Sequence, residues 1–170
     1  MKTVNKIKNI IRNLIVSVKT KSSIASLKRI DPKNLKVTLY FKGSNKINTF
    51  DLYDLVFDQA IISSLPQRSA ATIGYYYGIN YTKILHKKEN LQFSFENKKN
   101  NFKYQIISID RSKNIIFCSK QNHLRPESAK MHPFDIIGNK KLLSDFHPIQ
   151  ACYIGIQAGI KQTSIKKQLY

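Results

Sequence analysis

The residues best suited to chemistry are scarce here: two cysteines, four histidines and ten carboxylates in 170 residues. Cys118, His123 and His132 can be gathered by one loop, with His147 or Cys152 as a fourth zinc ligand. Their spacings match no compact zinc pattern. The expectation is therefore no metal, no cofactor, and scattered histidines. Glu96-Asn97-Lys98 has the acid-x-lysine form seen in some metal-dependent nucleases, and it follows an alternating stretch. It falls in a polar turn, however, and a two-metal centre needs several converging acids. A nuclease is thus the nearest enzymatic reading, and the expectation is a protein that is not an enzyme. Cys152 lies in a helix interior five residues from His147, with nothing to set a base beside it. Asp51, Asp54 and Asp58 fall on one helical face, where a solvated acidic stripe is a commoner outcome than a cation site.

Charge is the strongest signal. Twenty-nine Lys and Arg face ten Asp and Glu, a net charge of +19. A codon bias that enriches Lys would enrich Glu as well, yet there are three Glu. A field of this sign attracts polyanions, either nucleic acid or an anionic membrane surface. Only five of the cations are Arg. Lysine acts on phosphate as a point charge, which favours backbone attraction over base readout. The candidate nucleic-acid-binding residues are Lys83, Lys87, Lys88, Lys98, Lys99, Lys103, Arg111, Lys113 and Arg125. Tyrosines interleave with them around 75–83, and Phe102-Lys103-Tyr104 repeats the pattern.

Three kinds of partner fit this chain: nucleic acid, a protein, or the surface of a membrane. The last two rest on residues 1–21, a basic amphipathic helix whose Ile7, Ile11, Leu14, Ile15 and Val18 recur at helical spacing. Such a helix would dock an adaptor or accessory subunit, or act as an organelle transit segment. No apolar run approaches the ~20 residues of a membrane span, and no secretory signal is evident. The expected location is cytoplasmic, with both thiols free.

The positioning elements repeat. Ile73-Gly74-x-x-x-Gly78-Ile79 recurs as Ile154-Gly155-x-x-x-Gly159-Ile160, and Ile61-Ile62-Ser63-Ser64-Leu65 lies over Leu142-Leu143-Ser144-Asp145-Phe146. Glycine inside a helix costs roughly 1 kcal/mol against Ala, and spacing i, i+4 puts each pair on one face. Gly74, Gly78, Gly155 and Gly159 are therefore expected to pack two helices together, and they are not a phosphate loop. The competing reading makes Gly78 and Gly159 left-handed C-caps. Ser63 or Ser64, and Ser144 or Asp145, would cap these helices, which would end near Tyr81 and Lys161. Residues 24–41 read as a hairpin, Thr49 as the cap of a helix over 50–62, 91–118 as a meander, and 119–133 as a polar loop. The fold class is α+β: two copies of a β-hairpin plus two-helix unit related by internal duplication as a pseudo-two-fold, after an N-terminal amphipathic helix. The first unit covers 22–82 and the second 83–165, packed as one domain, with 166–170 a frayed basic tail.

Overall fold

The computed structural model describes residues 24–81, 102–120 and 127–168, with the backbone alone for 165–168. The docking residues of 1–21, the strand expected at 91–95, Glu96 and His123 lie outside this set. The described chain is mixed α+β, with two three-stranded antiparallel sheets plus helices. It divides into two compact units, one ending at Pro66 and one beginning at Gln67.

The first unit is built on strands β1 (Ala25–Asp31), β2 (Lys36–Phe41) and β3 (Lys46–Asp51), in that order across the sheet. Alternation in β2 sends Val37, Leu39 and Phe41 to the core and Lys36, Thr38 and Tyr40 to the other face. The Asp31 carboxylate closes the first turn by accepting from the N–H groups of Lys33 and Asn34, both at 3.1 Å. Leu35 completes that turn with φ of 53°. Two short helices follow, α1 (Leu52–Val56) and α2 (Gln59–Ser63). Asp51 caps the first by accepting from Tyr53 N–H, and Asp58 caps the second from Ile61 N–H. The end of α2 is tied back to the sheet: Ile24 and Ala25 N–H both donate to the Ser64 carbonyl.

The second unit holds helix α3 (Gln67–Ile79), strands β4 (Tyr104–Asp110), β5 (Ile115–Lys120) and β6 (Glu127–Met131), and helices α4 (Pro133–Gly138), α5 (Lys140–Ser144) and α6 (Pro148–Gln168). Ile106, Ile116, Cys118, Ile136, Leu143, Phe146, Ala151 and Ile154 form its core with Ala71. Tyr104 stacks on Phe146, centroids 5.4 Å apart, and its N–H donates to the Asp145 carbonyl.

Landmarks recur between the two series of elements. Asp31 and Asp110 open equivalent turns 79 residues apart, and Leu35 and Asn114 take the same left-handed conformation at the same interval. Both first strands carry a bulge, between Leu27 and Arg29 and between Ile106 and Ser108. After the second turn the interval is 81: caps Asp51 and His132, caps Asp58 and Asn139, helix starts Gln67 and Pro148. The change arises because 42–45 joins β2 to β3, whereas 121–126 joins β5 to β6.

Several sequence expectations need correction. Each series has three strands, not a hairpin. Residues 46–51 are strand β3, and the helix cap is Asp51, not Thr49. The expected helix over 50–62 is broken at Phe57–Asp58 into two, because Asp58 caps a fresh start. The polar loop expected at 119–133 contains the end of β5 and all of β6. Ser64 and Asp145 are C-caps of the preceding helices, and Ser63 and Ser144 their last residues. Helix α6 runs on to Gln168, well past Lys161.

Candidate nucleic-acid interface

Among the described residues of the first unit, cations lie on the sheet and its turns, which also carry Asp31 and Asp51. Its six cations between residues 24 and 66 are Lys28, Arg29, Lys33, Lys36, Lys42 and Lys46, all on the sheet or its turns. The two described helices of that unit carry Asp54 and the capping Asp58 and no cation. On the face turned away from the core, the Lys28 ammonium stands 5.2 Å from the centre of the Tyr40 ring. The Tyr40 hydroxyl donates to Asn45 Oδ1 at 2.8 Å. Across the strand pair from Tyr40 sits Ile47, 64% exposed. Thr38 and Thr49 share a hydrogen bond on the same face. Lys36 reaches Asp51 at 3.6 Å, but both side chains are about half exposed, so this pair holds little charge back from solvent. The arrangement is an aromatic–aliphatic platform rimmed by cations, chemistry suited to phosphates and to the flat faces of bases.

In the second unit charge is mixed. Lys130 lies 5.7 Å from the Phe117 ring on the outer face of β5, and Ile107 is exposed at the bulge. Lys120 is paired with Glu127 at 3.2 Å. Of the cations expected at the interface, Lys103 is engaged by Asp145 at 3.6 Å and lies against Tyr104. Arg111 and Lys113 are exposed in the turn between β4 and β5, and Asp110 there is taken up by Ser112 Oγ and Lys113 N–H. These bonds, the Ser112 hydroxyl first, hold the Asp110 carboxyl below its usual range. Asp31 is held low in the same way, first by the Asn34 side chain. Lys83, Lys87, Lys88, Lys98, Lys99 and Arg125 lie outside the described residues. The sheet cations Lys28, Arg29 and Lys46 were missing from the expected set. Their signal was present: Lys36-x-Thr38-x-Tyr40 marks the polar face of a strand whose neighbours must share that face.

Among the described residues no three His, Cys, Asp or Glu side chains converge. Cys118 and Cys152 are buried in the second unit, where desolvation pushes both thiols up to about 12. Burial, with Cys152 beside it, also pushes the Tyr153 hydroxyl up to about 12. His132 and His147 serve as helix caps: each ring Nδ1 accepts from the N–H two residues on, Phe134 at 3.4 Å and Ile149 at 3.2 Å. In both cases proline follows the histidine, filling the first helical position, where a missing N–H costs nothing. The acid stripe resolves similarly, since Asp51 and Asp58 are spent as caps.

His147 gives a pH prediction. Burial lowers its pKa from the ordinary 6.5, and its ring meets Phe102 edge-on at 5.2 Å. The folded state therefore prefers the neutral ring, while the unfolded chain takes up the proton first. Stability is full above pH 6.5 and is lost as pH falls below it. Linkage limits the loss by pH 5.5 to about 1 kcal/mol, since one group gives up at most about 1.4 kcal/mol for each pH unit below 6.5. Urea denaturation at pH 7.5 and 5.5 measures it. His147→Asn keeps a capping side chain that does not titrate, and should flatten the difference.

The four glycines lie where α3 and α6 cross. A methyl group on Gly74 would run into the carbonyl of Cys152, and one on Gly155 into that of Ala71. Gly78 and Gly159 meet each other's Cα at about 3 Å from where a Cβ would stand. No glycine has positive φ, which removes the left-handed C-cap reading of Gly78 and Gly159. No helix among the described residues is long and apolar enough to cross a membrane. Compared with family models, with curated proteins and with solved structures, the chain matches none.

Proposed function

We propose that this is a small, strongly basic, non-enzymatic binding protein, built by internal duplication, that contacts nucleic acid or a nucleoprotein assembly through lysine-rich surface. The observation that carries the reading is the concentration of cations in the first unit: among its described residues six lie on the sheet and its turns, against Asp31 and Asp51 there, and none lies on the helices. The platform of Tyr40 and Ile47 between those cations adds a surface on which bases can lie. Duplication is supported by the two turns, two bulges and paired helix caps at constant intervals.

The test is binding to duplex and single-stranded DNA and RNA across a salt series. Log affinity should fall linearly with log salt as counterions are released. Replacing Lys28, Arg29 and Lys46 together by Gln should weaken binding by roughly tenfold and lower the slope by about one for each residue that touches a phosphate. Lys140→Gln with Lys141→Gln, on a helix of the second unit, should leave the slope unchanged. Binding that ignores salt, or absent binding to both nucleic acids, overturns the reading.

A further inference from the structure

Within the second unit a cleft of about 130 Å³ opens between the turn after β4 and helix α6. Ile109, Ile156 and Ile160 give it apolar walls, and Tyr81 and Tyr153 line it with aromatic rings. Its polar elements are few. Gln157 lines it while one end of its amide is committed to Asn114 at 3.2 Å, so the other end remains for a ligand. Arg111 lines it from an exposed turn, and no carboxylate among the described residues pairs with it. The nearest acid in sequence, Asp110, is occupied by Ser112 and Lys113. Lys113 stands exposed in that same turn.

This is an apolar, aromatic slot with one amide inside and cations at its mouth. A lipid tail or a peptide aromatic would satisfy the walls, but neither calls for unpaired cations beside them. A planar heteroaromatic ring attached to a phosphate calls for both. We propose that the cleft takes an unpaired nucleobase of a single-stranded nucleic acid, with the adjoining phosphates on Arg111 and Lys113. The inference rests on the nucleic-acid reading above and adds to it a preference for bases free of pairing, since a base inside a duplex cannot enter. Gln157 meets the edge of the base with its remaining amide atom, and the tyrosines supply the stacking surface.

The experiment uses the full chain at fixed moderate salt with three probes: a labelled single strand, the same strand carrying abasic sites, and a free nucleoside monophosphate as competitor. The two strands carry the same charge, so they separate base from phosphate. The intact strand should bind roughly tenfold tighter than the abasic one, as expected for stacking of one or two bases. Tyr81→Ala should bring the two together. Arg111→Gln, in an exposed turn that does not depend on it for folding, should weaken the intact strand more than Lys140→Gln does. Equal binding of intact and abasic strands by the unmodified protein overturns the cleft assignment and leaves the polyanion reading standing. An Arg111→Gln effect no larger than that of Lys140→Gln overturns it too. Competition by the monophosphate at the strand's own affinity would replace the strand with a mononucleotide as ligand. Absence of binding to either strand removes both readings.

Discussion

Gly74→Ala is expected to lower stability by roughly 3 kcal/mol or more, at the upper end of what overpacking costs. The reason lies in what the new methyl group would meet. It would fall on the carbonyl oxygen of Cys152, with the Cys152 carbonyl carbon at 2.9 Å and Ile156 N at 3.1 Å. These are backbone atoms inside a helix, so no side chain can rotate away, and relief requires separating α3 from α6. That separation would open the core beneath them, where Ala151 and Ile154 are fully buried. Gly155→Ala makes the reciprocal collision with Ala71 and Tyr75 and should cost as much. The double variant should cost less than the sum, because one displacement accommodates both methyl groups. Gly138→Ala is the control: nothing lies within 4 Å of its new Cβ, and Ala is the better helix former, so stability should hold or rise slightly. Urea midpoints at constant m-value measure all four. A Gly74→Ala loss no different from that of Gly138→Ala would mean the helices do not cross this closely.

How much of this was readable in advance depends on the element. The shared face of Gly74 and Gly78 follows from helical spacing alone, and strand β2 from alternation alone, since both are local and strongly periodic. Strands β3 and β6 were not readable. Lys46-Ile-Asn-Thr-Phe-Asp and Glu127-Ser-Ala-Lys-Met are partner strands on the outside of their sheets, with little buried and no alternation to see. Their place is set by pairing with β2 and β5, which is not a local property. Edge placement also hid the basic platform. Lys28 and Arg29 are 17 or more residues from Lys46 in sequence, and the register of β1, β2 and β3 places all three on one sheet. The histidine caps were hidden for a different reason: His-Pro announces a helix start, but only backbone geometry shows that ring Nδ1 receives the N–H.

Asn114→Ala is the second substitution with a large expected effect, about 3–5 kcal/mol. Asn114 is 1% exposed and has φ of 55°, a conformation that Asn tolerates and Ala resists by about 1–2 kcal/mol. Its amide also lies between two other polar groups, 2.9 Å from His132 Nε2 and 3.2 Å from Gln157 Nε2. The hydrogen-bond sense follows from the cap. His132 Nδ1 accepts from Phe134 N–H, so the neutral ring carries its proton on Nε2 and donates there. Asn114 must then turn its oxygen to His132 and its NH2 to Gln157, which answers with its own oxygen; a half-turn of each amide produces this without moving a heavy-atom position. The three side chains thus link the turn after β4, the start of α4 and the middle of α6. Truncation leaves two half-buried or buried polar groups unsatisfied, at about 1–3 kcal/mol each. Asn114→Gly separates the two contributions: it keeps the backbone freedom and loses the side chain, so it should be milder than Ala by about 1 kcal/mol. Asn114→Leu copies the residue at the matching turn, where Leu35 holds φ of 53°. It should nonetheless fail, because Leu cannot answer His132 or Gln157. An Asn114→Ala protein as stable as the unmodified chain would show that this network contributes nothing to the second unit.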